Sequence, residues 1–163
     1  MKHWLFGMVL AGWLPLAAGA QDASPAPDVP ELRVTTLEGG SFDLAEQRGR
    51  WVVVNYWATW CSPCLKEMPD LDAFSKSRRD VRVIGLAYEE IGPDELRAFL
   101  REHPVGYPVA IVDVFEPPAD FPAPRGLPMT WLIAPDGRVA RKFLGPVSVQ
   151  ELDAAVAAGG GAP

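Results

Sequence analysis

The chain has 163 residues, of which 48% are apolar and 22% are charged, and its formal net charge is −6. This length predicts one domain, and the composition excludes both a chain that is disordered throughout and a membrane protein with many spans. The negative charge argues against nucleic-acid binding through a basic patch. Two cysteines exclude a disulfide-rich scaffold, and with so few histidines they argue against a structural zinc site.

Residues 1–20 are predicted to be an export signal. Lys2 and His3 form a short basic start, an apolar stretch follows, and residues 18–20 form a small-x-small cleavage site. A membrane-spanning helix needs about 20 apolar residues, and this stretch is shorter. We therefore expect cleavage and a periplasmic or otherwise extracytoplasmic protein. The alternative is a membrane anchor formed by the uncleaved segment.

The mature chain is predicted to be one domain with short flanks. Residues 21–30 are rich in proline and predict an extended linker, residues 31–158 predict the domain, and residues 159–163 predict a flexible tail. Within the domain, residues 32–37 and 41–44 flank a glycine turn. They predict an N-terminal β-hairpin.

After this hairpin the pattern alternates strands with helices. The predicted elements are a buried strand at 51–57, a helix at 62–79, a strand at 81–87, a helix at 93–101, a strand at 108–114, a hairpin at 130–134 and 138–144, and a helix at 149–158. Pro69 is expected to kink the first helix, and Ser148 is expected to cap the last one. The prolines between residues 115 and 128 exclude a regular helix there. The alternation predicts an α/β fold with a mixed sheet and helices on both faces.

Cys61 and Cys64 form a C-x-x-C motif between a buried strand and the start of a helix, a setting typical of a redox site. A disulfide that closes so short a loop would stabilise the fold little. The free N–H groups and partial positive charge of a helix N-terminus stabilise a thiolate. Cys61 is therefore predicted to attack the substrate, and Cys64 to resolve the mixed disulfide.

Three features resemble the thioredoxin superfamily: the run Trp60–Cys64, the helix proline Pro69, and residues 126–130 before a hairpin. Glu67 together with Pro69, the N-terminal hairpin and the export signal resemble the TlpA/ResA branch of exported thiol-disulfide oxidoreductases. The resemblance covers about residues 30–158. It implies a thioredoxin-like fold, in which a central mixed β-sheet is flanked by helices.

The resemblance also implies roles for residues outside the cysteine pair. It implies a cis Leu127–Pro128 bond beside the cysteines, with the backbone of Leu127 free to pair with an extended substrate. Trp60 is expected either to offer the substrate an aromatic platform or only to pack. Glu67, three residues after Cys64, is expected either to accept the proton of Cys64 or to be a solvated residue of the first turns.

The sequence departs from the family pattern at two places. Asn55 stands where thioredoxin has a buried aspartate, so that proton carrier is missing. The Pro-rich residues 115–124 replace a helix that the family usually has, which changes the surface beside the site.

The first functional hypothesis is an exported thiol-disulfide oxidoreductase that acts mainly as a reductase, through a mixed disulfide at Cys61. It needs no cofactor and no metal. The resemblance implies a membrane thiol relay as electron donor, and apocytochrome c or another exported cysteine-containing protein as substrate. The alternative is a copper-binding module on the same fold, because copper(I) favours thiolates, although only His103 is available as a histidine ligand. A thiol peroxidase is a weaker hypothesis, because that relative needs Thr or Ser where this chain has Ala58.

Overall fold

The computed structural model describes residues 28–159. The predicted signal peptide, most of the predicted linker and residues 160–163 of the predicted tail lie outside the described residues. Among the helices of residues 28–159, none has the length and apolar character needed to cross a membrane.

The predicted elements are present in the predicted order. They are β1 (Arg33–Thr35), β2 (Ser41–Asp43), β3 (Trp51–Trp57), α1 (Ser62–Ser77), β4 (Val81–Ala87), α2 (Pro93–Glu102), β5 (Val109–Ile111), β6 (Met129–Ile133), β7 (Val139–Leu144) and α3 (Val149–Ala157). A 3₁₀ helix (Leu44–Gln47), which was not predicted, follows β2. Helix α1 ends two residues early because Arg78 is extended, and β5 is shorter than expected. Pro69 lies inside α1, and its kink stays a prediction. Ser148 caps α3 as predicted.

The main sheet is mixed and has the order β5-β4-β3-β6-β7. Strands β3, β4 and β5 run parallel to one another, whereas β6 is antiparallel to both β3 and β7. Strands β1 and β2 form the separate N-terminal hairpin. All seven residues of β3 are buried, as expected for a central strand that is covered on both faces. These observations confirm the predicted thioredoxin-like α/β fold.

The expectation of α-helices on both faces of the sheet is wrong. Trp57 of β3 packs in one core with Met68 of α1, Leu96 of α2 and Leu152 of α3. The chain moves in one direction across the sheet from β3 to β4 to β5. Right-handed crossovers therefore place α1 and α2 on the same face. The opposite face is covered by the N-terminal hairpin, the 3₁₀ helix and Phe121 of the Pro-rich segment.

The Pro-rich segment has no helix, as predicted, yet it is attached firmly to the sheet. Phe121 is fully buried, and its ring lies 5.4 Å from that of Trp131. The Tyr56 hydroxyl donates to the Phe121 carbonyl at 2.7 Å, and the Tyr88 hydroxyl donates to the Val114 carbonyl at 2.9 Å. Tyr56 and Tyr88 thus fix the backbone within and just before a segment that belongs to no helix or strand.

This attachment predicts opposite outcomes for two phenylalanines of the same segment. Phe121→Ala should lower the free energy of unfolding by about 3–5 kcal/mol, because it leaves a cavity against Trp131. Phe115→Ala is the matched control: Phe115 is 79% exposed, so its loss should change stability by less than about 0.5 kcal/mol. Urea titration of both variants measures the difference. Equal, small effects would contradict the proposed anchoring role of Phe121.

Candidate active site

Cys61 and Cys64 are joined by a disulfide at the start of α1. Cys61 is the N-cap residue, and its Sγ accepts the backbone N–H of Cys64 at 3.3 Å. When the disulfide is reduced, this donor and the helix dipole stabilise negative charge on the Cys61 sulfur. Cys64 is completely buried, whereas Cys61 retains 4% exposure. The geometry therefore favours Cys61 as the attacking sulfur.

The loop before the cysteines is held by a carboxylate that sequence analysis missed. The backbone N–H and the hydroxyl of Thr59 donate to the two carboxylate oxygens of Glu89, at 2.6 and 2.9 Å. Glu89 lies 30 residues further along the chain, just after β4. The parallel pairing of β3 with β4 could have indicated this contact, because it brings the ends of the two strands together at Trp57 and Ala87. The contact fixes the backbone from which Trp60 and Cys61 project.

The structure brings the three predicted substrate-binding residues together beside the cysteines. Trp60 is 70% exposed, and it lines a groove of about 440 Å³ together with Leu127. The Leu127–Pro128 bond is cis, as predicted. The backbone N–H and carbonyl of Leu127 make no hydrogen bond within residues 28–159. Their substrate-binding role stays a prediction.

Glu67 is buried in the core and is not a solvated helix residue. Its side chain is held from two sides: Oε1 accepts from Asn55 Nδ2 at 2.7 Å, and Oε2 accepts from the backbone N–H of Val147 at 2.8 Å. Asn55 Nδ2 also donates to Thr130 Oγ1 at 2.9 Å. The carboxyl of Glu67 is therefore connected to β3, to the first residues of β6 and to the loop before α3.

Burial raises the pKa of Glu67 to about 7. The hydrogen bonds from Val147 and Asn55 lower this pKa and so oppose the shift, whereas the negative charge of Asp70 raises it further. At neutral pH a substantial fraction of the Glu67 carboxyl groups is protonated and a substantial fraction is ionised. A group in this condition can both accept and return a proton.

Asn55, Thr130 and Val147 were not identified as site residues from the sequence. Asn55 was noted only as a missing proton carrier, but its amide donates to the carboxyl that α1 supplies. Asn55 pairs with Thr130 across β3 and β6, a contact between residues 75 positions apart. The sequence carried a signal for this contact: the whole of β3 was predicted to be buried, and a buried asparagine needs a hydrogen-bond partner.

His103 lies outside this arrangement. Its ring stacks on Phe99 at a centroid distance of 4.4 Å, directly after α2. Within residues 28–159, no three or more His, Cys, Asp or Glu side chains come together in a group that could hold a metal ion.

Comparison with known proteins places this site in a family. The AhpC/TSA family matches residues 25–143. The thiol-disulfide oxidoreductase ResA of a Bacillus cereus strain is 31% identical over 128 residues, which cover 77% of this chain and 73% of that protein. The sporulation thiol-disulfide oxidoreductase A of Bacillus subtilis (strain 168) is 24% identical over 148 residues, which cover 88% of this chain and 87% of that protein.

Solved structures agree on the fold. A thiol:disulfide interchange protein of the thioredoxin family from Chlorobium tepidum TLS superposes with a TM-score of 0.70 at 27% identity, covering 86% of this chain and 99% of that one. Together with the C-x-x-C pair at the start of α1, these similarities show that the chain belongs to the AhpC/TSA family of thioredoxin-like proteins and is a thiol-disulfide oxidoreductase of the ResA/TlpA type.

Proposed function

We propose that the protein is an exported reductase of protein disulfides. The observation that carries this proposal is the placement of Cys61 at the N-terminus of α1, with the buried carboxyl of Glu67 one helical turn after Cys64. The two residues between the cysteines, Ser62 and Pro63, add no cation or histidine that would stabilise the thiolate further. A strongly stabilised thiolate makes a strong oxidant, so the absence of a cation or histidine between the cysteines favours reduction of the substrate.

The proposed reaction passes two electrons from the dithiol to the substrate. The Cys61 thiolate attacks one sulfur of the substrate disulfide, the substrate S–S bond breaks, and the leaving thiolate takes a proton. The resulting mixed disulfide joins Cys61 to the substrate. The thiolate of Cys64 then attacks the Cys61 sulfur, which releases the second substrate thiol and forms the Cys61–Cys64 disulfide.

Glu67 is proposed to handle the proton of Cys64. Cys64 is completely buried, and burial disfavours its thiolate, so the resolving step needs a proton acceptor close by. Glu67 lies on the same face of α1, three residues further. With a pKa of about 7, its carboxylate can take this proton near neutral pH and return it when the pair is reduced again.

The partners are proposed from the export signal and the family. In an oxidising compartment the pair would remain oxidised without a source of electrons, so we infer a membrane thiol relay as donor. The substrates are exported cysteine-containing proteins, with apocytochrome c as the specific candidate. A structure of a secreted disulfide oxidoreductase of Mycobacterium tuberculosis shares the fold, with a TM-score of 0.66 at 24% identity. The proposed location is the periplasm or another extracytoplasmic space, after cleavage of residues 1–20.

The two cysteines should respond differently to substitution. Cys61→Ser removes the attacking sulfur and should abolish disulfide reduction. Cys64→Ser removes the resolving sulfur and should accumulate a mixed disulfide between Cys61 and the substrate. Non-reducing electrophoresis with a disulfide-bonded protein substrate measures both outcomes. Reductase activity that survives in Cys61→Ser would refute the proposed mechanism.

Substitution of Glu67 should affect two measurable properties of the site. Glu67→Gln removes a negative charge near the thiols, so the pKa of Cys64 should fall. It also removes the proton acceptor, so resolution of the mixed disulfide should slow by about 10²-fold or more. Ultraviolet absorbance of the thiolate and rapid-mixing kinetics measure these effects. Glu102→Gln is the matched control, because Glu102 is exposed at the end of α2 and is not among the groups that shift the pKa of Glu67.

The pH dependence of stability tests Glu67→Gln by a measurement that does not depend on turnover. The folded pKa of Glu67, about 7, lies above its ordinary value, so the folded state binds more protons. The contribution of Glu67 to the free energy of unfolding of the disulfide form should therefore be largest below about pH 4.5 and should fall by up to about 3 kcal/mol as the pH rises through 7. Glu67→Gln should lose this dependence, and Glu102→Gln should keep it. Unchanged kinetics and an unchanged stability profile in Glu67→Gln would remove Glu67 from the mechanism.

A further inference from the structure

The groove beside the cysteines continues along the chain's own Pro-rich segment. Its near part lies between Trp60 and Leu127 and reaches Val114, Glu89 and Glu90. A second depression of about 200 Å³ shares these last three residues and extends to Phe115. We call this second part, from Val114 to Phe115 with Glu89 and Glu90, the Phe115 extension. One continuous surface therefore runs from Trp60, next to Cys61, to Phe115.

The Phe115 extension presents an exposed aromatic side chain on a fixed backbone. Asp113 Oδ1 accepts the backbone N–H of Phe115 at 2.7 Å and that of Glu116 at 3.2 Å. The Tyr88 hydroxyl holds the preceding carbonyl, that of Val114. Phe115 is nevertheless 79% exposed. Because the backbone around Phe115 is already ordered, a partner that covers the exposed ring does not have to order this loop as well, which lowers the entropic cost of binding.

The charges of the Phe115 extension have one sign. The residues that line it include Glu89, Glu90 and Asp113 and no Lys, Arg or His, and Arg125 in the near part is the one cation among the residues that line the two parts of the groove. Glu89 and Asp113 already accept hydrogen bonds from Thr59 and from the loop backbone. Glu90 is exposed and makes neither a hydrogen bond nor an ion pair with any residue in 28–159. Its carboxylate is therefore available to a positively charged partner.

We propose that the Phe115 extension binds the stretch of substrate polypeptide that flanks the target cysteine, and that it selects stretches carrying an apolar side chain and a lysine or arginine. The apolar side chain packs on Phe115 and Val114, and the cation lies opposite Glu90. The free backbone groups of Leu127 pair with the extended chain beside the cysteine. Acidic stretches are disfavoured by the same charges. This inference rests on the proposed reductase function, whose substrate class it narrows.

The test compares two peptides that differ only in charge. Each carries one cysteine in a mixed disulfide with glutathione and leucines nearby, and its flanking residues on both sides are either lysines or glutamates. The second-order rate of reduction by the reduced protein is measured at low and high salt, with bis(2-hydroxyethyl) disulfide as a small, uncharged substrate that has no side chain to place on Phe115 or opposite Glu90. The wild type should reduce the lysine peptide about tenfold faster than the glutamate peptide at low salt, and the preference should shrink at high salt.

Four variants locate the preference. Glu90→Lys should reverse the order of the two peptides, whereas Glu102→Lys should leave it unchanged, because Glu102 is exposed at the end of α2 and lines neither part of the groove. Phe115→Ser should slow both peptides by about three- to tenfold, whereas Phe115→Leu should not. All variants should reduce bis(2-hydroxyethyl) disulfide at the wild-type rate.

Two failures are distinguishable. If the wild type reduces both peptides equally, or if Glu90→Lys behaves like Glu102→Lys, the Phe115 extension does not select substrates, and the reductase proposal stands. If the wild type reduces neither the peptides nor bis(2-hydroxyethyl) disulfide, the reductase proposal itself is wrong, and the inference is wrong with it.

Discussion

Two hydrogen bonds hold the carboxyl of Glu67 in the core, one from the Asn55 amide and one from the backbone of Val147. Burial of an acid costs free energy, and these two donors offset only part of that cost, because the pKa of Glu67 remains raised to about 7. This buried acid lies one helical turn after Cys64. The same contacts connect α1 to the central strand and to the loop before α3, so the group that is proposed to handle the proton of Cys64 is also fixed by the fold.

The redox site is assembled where several strands end. The loop after β3 supplies Trp60 and the cysteines, and Glu89 after β4 holds that loop. The cis Pro128 immediately precedes β6, whose first residue, Met129, pairs with Tyr56 near the end of β3. This is the carboxyl edge of the parallel strands, where α/β folds commonly place their ligands. Before Pro128, residues 115–124 form no helix and are anchored at Phe121 by the Tyr56 hydroxyl. One wall of the groove beside the site is therefore irregular and carries the exposed side chain of Phe115.

The sequence was sufficient for what depends on local pattern. The β-prone run of β3, the C-x-x-C motif before a helix and the proline-rich gap each predicted their element or its absence. It was insufficient for contacts that depend on register and on distant pairing. Glu67 could be placed on a helix face, but its acceptance of hydrogen bonds from Asn55 and Val147 required the packed structure. The Glu89–Thr59 contact depends on strand pairing, and the sides taken by α1 and α2 depend on the order of strands in the sheet.

The equilibrium reduction potential of the Cys61–Cys64 pair tests the central claim, reduction of substrate disulfides, most directly. It is measured by equilibrating the protein with glutathione buffers and quantifying its free thiols. The account predicts a potential close to the value of about −270 mV for a reducing thioredoxin. A potential close to the value of about −120 mV for the strong oxidant DsbA would contradict it, because the pair would then form disulfides in its substrates instead of breaking them.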